Sequence, residues 1–285
     1  MEKKFLNIAG LTFGIHAENK IEIDPETRSF ILNRTDSTDG ELYVSTSAGF
    51  PPITSHGHWD WNRFYTKEKL GTVHIFDKVR NIKYAEVSYE SRRRILISCL
   101  KDYHCDHTAI MLNLLGLEHL LIQYDALILH SSSVRHNGKG ILFSAPSGTG
   151  KSTQAALWEQ HMGADIINGD RAGLRKVDGH WRAYGLPFAG SSGIYRNESA
   201  PIAAIVLLRQ GPENRILPLS GAMAFRGLFP EVSVQRWDED FVNRVTDLLS
   251  DLLGEIPVYQ LTCRPDGEAV SLLDNTLNRR EAKWP

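Results

Sequence analysis

A nine-residue run, Ala145-Pro146-Ser147-Gly148-Thr149-Gly150-Lys151-Ser152-Thr153, constrains the fold of this chain more than any other feature. Before it, Gly140-Ile141-Leu142-Phe143-Ser144 reads as a buried strand, and after it Thr153 to Met162 reads as a helix. The run matches the phosphate-loop pattern GxxxxGK(S/T), except that Ala145 replaces the first glycine. Such a loop needs small residues so that backbone N–H groups turn inward around a phosphate, and the helix that follows adds its positive end. Gly148 and Gly150 permit the backbone angles involved. The expected nucleotide contacts are Ser147, Gly148, Thr149, Gly150, Lys151, Ser152 and Thr153, with ATP and Mg²⁺ as cofactors. Lys151 would reach the β and γ oxygens, and the Ser152 hydroxyl would ligate the metal.

Around the loop, the chain reads as two parts and a bridge. Residues 1–105 carry short strand-like runs, among them Leu11 to His16, Ile21 to Ile23 and Ile95 to Ile97, with turn signals at Asp24-Pro25 and Thr38-Asp39-Gly40. This is expected to be a β-rich N-terminal domain. Residues 106–125 place Ile110, Met111, Leu114, Leu115, Leu117, Leu120 and Leu121 at helical spacing, which predicts one linking amphipathic helix. Residues 126–285 alternate strands and helices, as an α/β domain does. Ala126 to His130 and Ser133 to His136 are extended runs leading to Asn137-Gly138, a strong hairpin signal. Later come strands at Asp165 to Ile167, Ala203 to Leu208 and Pro257 to Thr262, and helices over Phe241 to Leu253 and Glu268 to Leu277.

The loop in its SGTGKS form, Ser147 to Ser152, resembles that of the HPr kinase/phosphorylase family, which is related to phosphoenolpyruvate carboxykinases. Leu129-His130-Ser131-Ser132-Ser133-Val134 is similar to the segment preceding the loop in that family. Asn168-Gly169-Asp170 falls where the family has an Asp-Asp pair, and Gly185-Leu186-Pro187-Phe188-Ala189-Gly190-Ser191-Ser192 resembles a segment of its smaller members. Two features differ: Gly169 stands in place of one aspartate, and no HPr-docking and phosphorylase signature follows. The resemblance implies an α/β fold with a C-terminal P-loop kinase domain of the HPr kinase/carboxykinase type beside a smaller β-rich N-terminal domain. It further implies ATP- and Mg-dependent phosphorylation of a serine-type hydroxyl on a peptide or small protein, such as a ribosomally made peptide precursor. A small-molecule hydroxyl kinase and a non-catalytic nucleotide-sensing module are the alternatives.

Phosphoryl transfer needs charge neutralisation, in-line positioning and a group to receive the acceptor's proton. Lys151 serves the first need. Asp170 is a candidate for holding the metal, with Ser152, or for taking the proton. His130 is the second candidate base, or the group that orients Asp170. Arg171 and Arg196 are candidate charge partners. His104-Cys105-Asp106-His107 carries metal-capable side chains, yet no second cluster completes a zinc site, and Asp106 reads more simply as a helix N-cap. Trp59-Asp60-Trp61-Asn62-Arg63 reads as half of a strand face or as a peptide-binding surface.

Composition closes off other classes. Lys plus Arg number 32 against 34 Asp plus Glu, a balance that gives no support to nucleic-acid binding through bulk charge. No apolar stretch of roughly 18 residues predicts a membrane span. The charged start before Phe5 to Ile15 has the outline of a signal peptide, but Asn7 and Thr12 interrupt it. Cys99, Cys105 and Cys263 are too few for a disulfide framework, so thiols in a reducing, cytoplasmic setting are expected. A homo-oligomer is left open.

Overall fold

Two stretches of different periodicity fold into two units, Met1–Gln123 and Tyr124–Pro285. The computed structural model describes residues 2–66, 71–188 and 190–281. Its architecture is mixed α/β with two sheets, strands predominating.

In the first unit, β1 (Glu2–Ile8), β2 (Leu11–Ala17), β3 (Ile31–Leu32), β4 (Gly40–Ser47), β5 (Gly57–Asp60), β6 (Arg63–Thr66), β7 (Thr72–Asp77), β8 (Ile82–Ser91) and β9 (Arg94–Leu100) form one sheet. Its order is β3-β1-β2-β4-β9-β8-β7-β6-β5. Period-two alternation drives it: in β9 Ile95, Ile97 and Cys99 are buried while Arg94 is exposed. The expected extended run at Ile21 to Ile23 is instead a single bridge between Glu22 and His107.

The expected linking helix is two helices, α1 (Thr108–Leu115) and α2 (Leu117–Ile122), both within the first unit. Gly116, at φ +63°, breaks them apart, a conformation that costs a glycine little. Asp106 is not the N-cap. His107 occupies that position, and Asp24, distant in sequence, accepts from the Ala109 N–H at 2.8 Å. Cys99 and Cys105 are bonded to each other, which corrects the expectation of free thiols at these positions. A 3-10 turn over Lys101–Tyr103 folds the chain back after β9 and brings them together. Trp59 packs on Phe64 and Phe76, whereas Trp61 occupies the turn after β5, at φ +47° and 78% exposed, so the two do not share a strand face.

In the second unit the strands are β10 (Ala126–His136), β11 (Lys139–Ser144), β12 (Asp165–Asn168), β13 (Arg171–Val177), β14 (His180–Gly185), β15 (Ser199–Gln210), β16 (Arg215–Pro218) and β17 (Val258–Cys263). The helices are α3 (Lys151–Met162), α4 (Gly221–Leu228), α5 (Glu239–Glu255) and α6 (Gly267–Glu281). The two runs expected at 126–136 are one long strand. Its first half pairs with β13, and its second half with β11 and β12. Asn137 (φ +50°) and Gly138 (φ +75°) make the predicted two-residue turn, opposing His136 to Lys139.

β11 runs parallel to β15, and β15 parallel to β17. Three strands therefore deliver their carboxyl ends to one edge, the usual place for a ligand in an open α/β sheet. The Asp178-Gly179 turn joins β13 to β14, both residues at positive φ; no reading of the sequence foresaw this hairpin. Phe143, Val206 and Leu261 from these strands pack with Trp158 of α3 and Val270 and Leu273 of α6. Each such apolar side chain contributes about 1.5–3 kcal/mol on burial. That packing fixes α3, and hence the loop at its start.

Candidate functional site

The loop between β11 and α3 has the predicted backbone. Gly148 lies at φ +80° and Gly150 at φ +114°, and a Cβ at either would meet nothing within 4 Å. Glycine is needed there for conformation and not for space. Ala145 is buried and lies outside the positive-φ region, so the first position of the pattern tolerates a methyl group. α3 starts at Lys151 with Gly150 as its N-cap and no capping side chain, which leaves first-turn N–H groups open to an anion. Ser147, Ser152 and Thr153 are exposed along the same stretch.

Lys151 is only 7% exposed. Its Nζ donates to the loop's own Ala145 carbonyl at 2.7 Å and lies 3.4 Å from that of Pro146. Burial pushes the ammonium pKa below its ordinary value, against the opposing pull of the Glu231 and Asp170 carboxylates. The backbone beneath is anchored by Ser132 Oγ, which donates to the Lys151 carbonyl at 2.7 Å.

Asp170 and His130 come together. The Asp170 Oδ1 lies 3.6 Å from His130 Nε2, and its Oδ2 lies 3.5 Å from Arg171 Nε. The position of Asp170 is set by backbone chemistry. Fully buried Asn168 accepts, on Oδ1, the N–H groups of Asp170 (2.8 Å) and Arg171 (2.9 Å), and donates Nδ2 to the Leu186 carbonyl at 2.7 Å. Gly190 backs onto Asp170: a Cβ there would come within 2.9 Å of its side chain. Gly185 likewise faces the Arg196 carbonyl, which a Cβ would strike. These contacts give two glycines of the 185–192 segment a reason; Ala189 lies outside the described residues. Arg171 also stacks over Phe188, and Arg196 is held through its backbone N–H on the Ile167 carbonyl.

Sequence reasoning missed Glu231. Its Oε2 lies 3.1 Å from His130 Nδ1. The segment after α4 makes a 3-10 turn over Phe229–Glu231, and Val232 bridges to Leu129 while the Ser233 N–H donates to the Ile128 carbonyl. That pairing presents Glu231 to His130. No motif marks the residue; its signal is spatial.

Of the hard oxygen donors that suit Mg²⁺, the site offers the Asp170 carboxylate and the Ser152 hydroxyl, whose Oγ lies 3.4 Å from the Gly169 carbonyl beside Asp170. The donor set fits the ion. Among the described residues no group of three His, Cys, Asp or Glu side chains is gathered for a metal, so substrate oxygens would have to complete the shell. No described helix is long and apolar enough to cross a membrane.

No family model matches the chain, and no curated protein matches it. Among solved structures, the Hpr(Ser) kinase/phosphatase from Coxiella burnetii aligns with a TM-score of 0.31 and 14% identity, over 54% of this chain and 90% of that one. A likeness that weak transfers neither fold nor activity, and the reading below rests on the residues themselves.

Proposed function

We propose that this chain is an ATP- and Mg-dependent phosphotransferase that phosphorylates a serine-type hydroxyl, with a peptide or small protein as acceptor. One observation carries the reading. A glycine loop that ends on a buried lysine lies beside a histidine held between two carboxylates, Asp170 and Glu231. A loop alone suits a nucleotide sensor; a sensor has no use for an acid–base pair beside the phosphates.

The loop N–H groups and Lys151 bind the β and γ phosphates and offset their charge. Bound at Ser152 and Asp170, Mg²⁺ would supply further charge neutralisation on the phosphate oxygens. Glu231 holds the proton of His130 on Nδ1, which leaves Nε2 as the acceptor for a hydroxyl proton. Asp170, facing Nε2, orients the hydroxyl and stabilises the imidazolium that forms. The choice of a serine-type acceptor follows the motif resemblance of residues 129–134, 147–152 and 185–192 to HPr kinases. Nucleotide binding is assigned to the unit Tyr124–Pro285.

The test is ATP consumption by the purified chain with Mg²⁺, with and without a pool of serine-containing peptides. Acceptor-dependent consumption with phosphoserine formed supports the kinase. Binding of ATP with no transfer to peptides or to small hydroxyl compounds contradicts it and leaves the sensor.

A further inference from the structure

A cavity of about 360 Å³ opens beside the glycine loop, at the carboxyl ends of β11, β15 and β17. Its size falls in the range of small-molecule sites, roughly 300–1,000 Å³. Leu208, Cys263 and Pro265 give it apolar walls, Arg209 and Arg264 bring guanidinium groups, and Gln154 reaches it from α3. Gly148, Thr149 and Gly150 belong to its lining too, so it is continuous with the surface that would hold phosphates. Gln210 ties the end of β15 to that loop, its Nε2 lying 3.4 Å from the Gly148 carbonyl and 3.3 Å from that of Thr149. The Gly211 N–H donates to the Cys263 carbonyl and ties β15 to β17. The cavity walls are therefore coupled to the loop and to each other.

The loop has two flanks with different chemistry. Ser144, its last strand residue, opposes Ser131 of β10 on one side and Leu207 of β15 on the other. His130 and Asp170 belong to the β10 flank. The cavity belongs to the β15–β17 flank, and among the described residues neither a carboxylate nor a histidine lines it. Gln154 is 3% exposed; its Nε2 is held on Cys263 Sγ at 3.3 Å, and among the described residues its Oε1 has no partner. A buried amide oxygen without a donor is costly, by about 1–3 kcal/mol, unless a ligand or water supplies one. The exocyclic amino group of a nucleobase is such a donor, and guanidinium planes stack on nucleobase faces.

We infer that this cavity takes the base and sugar of the bound nucleotide, an amino-bearing purine nucleoside, while the acceptor hydroxyl approaches the γ-phosphate from the opposite flank, past His130. The inference rests on the phosphate-loop reading above and adds the direction in which the nucleotide lies. It makes the loop a divider between donor and acceptor.

The test compares two probes on the full chain by titration calorimetry with Mg²⁺: ATP, and inorganic tripolyphosphate, which has the phosphates without the nucleoside. Two variants are used. Gln154→Leu removes the amide, and Pro265→Trp fills the mouth at an exposed position where folding is little at risk. The expected result is a loss of ATP affinity of about tenfold or more in each folded variant, with tripolyphosphate affinity unchanged; tenfold corresponds to about 1.4 kcal/mol. If Pro265→Trp binds ATP as the wild type does, the nucleoside lies elsewhere and the inference is overturned, though the phosphate loop stands. If both probes weaken equally, the variants act through the loop, and the cavity assignment is again overturned. If the wild type binds neither probe, the phosphate-loop reading itself fails, and the inference with it.

Discussion

Glu231 Oε2 lies 3.1 Å from His130 Nδ1, although 101 residues separate them along the chain. A carboxylate on one ring nitrogen fixes which nitrogen carries the proton, and so decides what the other can do. Here the other nitrogen faces Asp170. In the proposed mechanism the shorter contact, to Glu231, holds the ring proton and leaves Nε2 to receive the proton of a hydroxyl arriving on the loop flank.

Glu231→Gln keeps the shape and removes the charge. Turnover is expected to fall on the order of 10²-fold, within the range of general acid–base help, and by more than KM for ATP changes, since Glu231 also acts on the Lys151 charge. The pH profile of kcat should also move, because imidazolium loses its neighbour. A merely structural role would leave that profile where it is, and an unmoved profile rejects the assignment.

Asp170→Asn and His130→Ala divide the labour. In the proposed mechanism Asp170 would have the more roles, toward metal, hydroxyl and imidazolium, so its loss should slow transfer more at saturating Mg²⁺ while ATP affinity falls less. The comparison is of kcat in the two variants. A larger loss in His130→Ala makes the histidine the principal group. No loss in either removes the whole β10 flank from the chemistry.

Gly150→Ala tests the loop backbone. Nothing crowds a Cβ there, so the effect is conformational: φ +114° is rarely adopted by an L residue. The strain is of order 1–3 kcal/mol. The expected outcome is a loss of ATP affinity with little change in the thermal transition, because an exposed loop relaxes by leaving the binding geometry. Unchanged ATP binding would mean that the positive φ is not required.

Asp24 offers a test of stability. Burial works to raise its carboxyl pKa, but hydrogen bonds from the Ala109 N–H, His107 and Thr108 outweigh burial and hold it below the ordinary 3.8. His107 is raised above its ordinary 6.5, first by the same hydrogen bond to Asp24. The depressed carboxyl contributes stability above its unfolded value and loses it as pH falls through the folded one. The raised histidine contributes below 6.5 and loses it as pH climbs through its folded value. Asp24→Asn should therefore cost most between these limits, because the amide keeps an acceptor for the Ala109 N–H but loses the charge that pairs with His107. Urea unfolding at several pH values checks it; a cost independent of pH rejects the ion pair.

What the sequence revealed was local. The loop, its two positive-φ glycines and the Asn137-Gly138 turn each depend on residues close together, and each stands where the pattern placed it. The Asp178-Gly179 turn carries the same kind of dipeptide but went unread, because Arg171 to Val177 is too charged to read as a strand next to it. What stayed hidden depends on distant pairs. Asp24 caps a helix that starts at Thr108, and Glu231 reaches His130 from beyond α4. No spacing rule encodes such contacts; they follow from sheet order.

The central claim is that this chain moves the γ-phosphate of ATP to a hydroxyl through the loop at Lys151. The direct measurement is transfer of label from γ-labelled ATP to a serine peptide pool, by wild type and by Lys151→Ala. Lys151→Ala deletes the buried charge held on the Ala145 carbonyl, and transfer should fall by about 10²-fold or more. Labelled phosphoserine formed by the wild type and nearly absent with the variant is the predicted result; equal transfer by both would contradict the account.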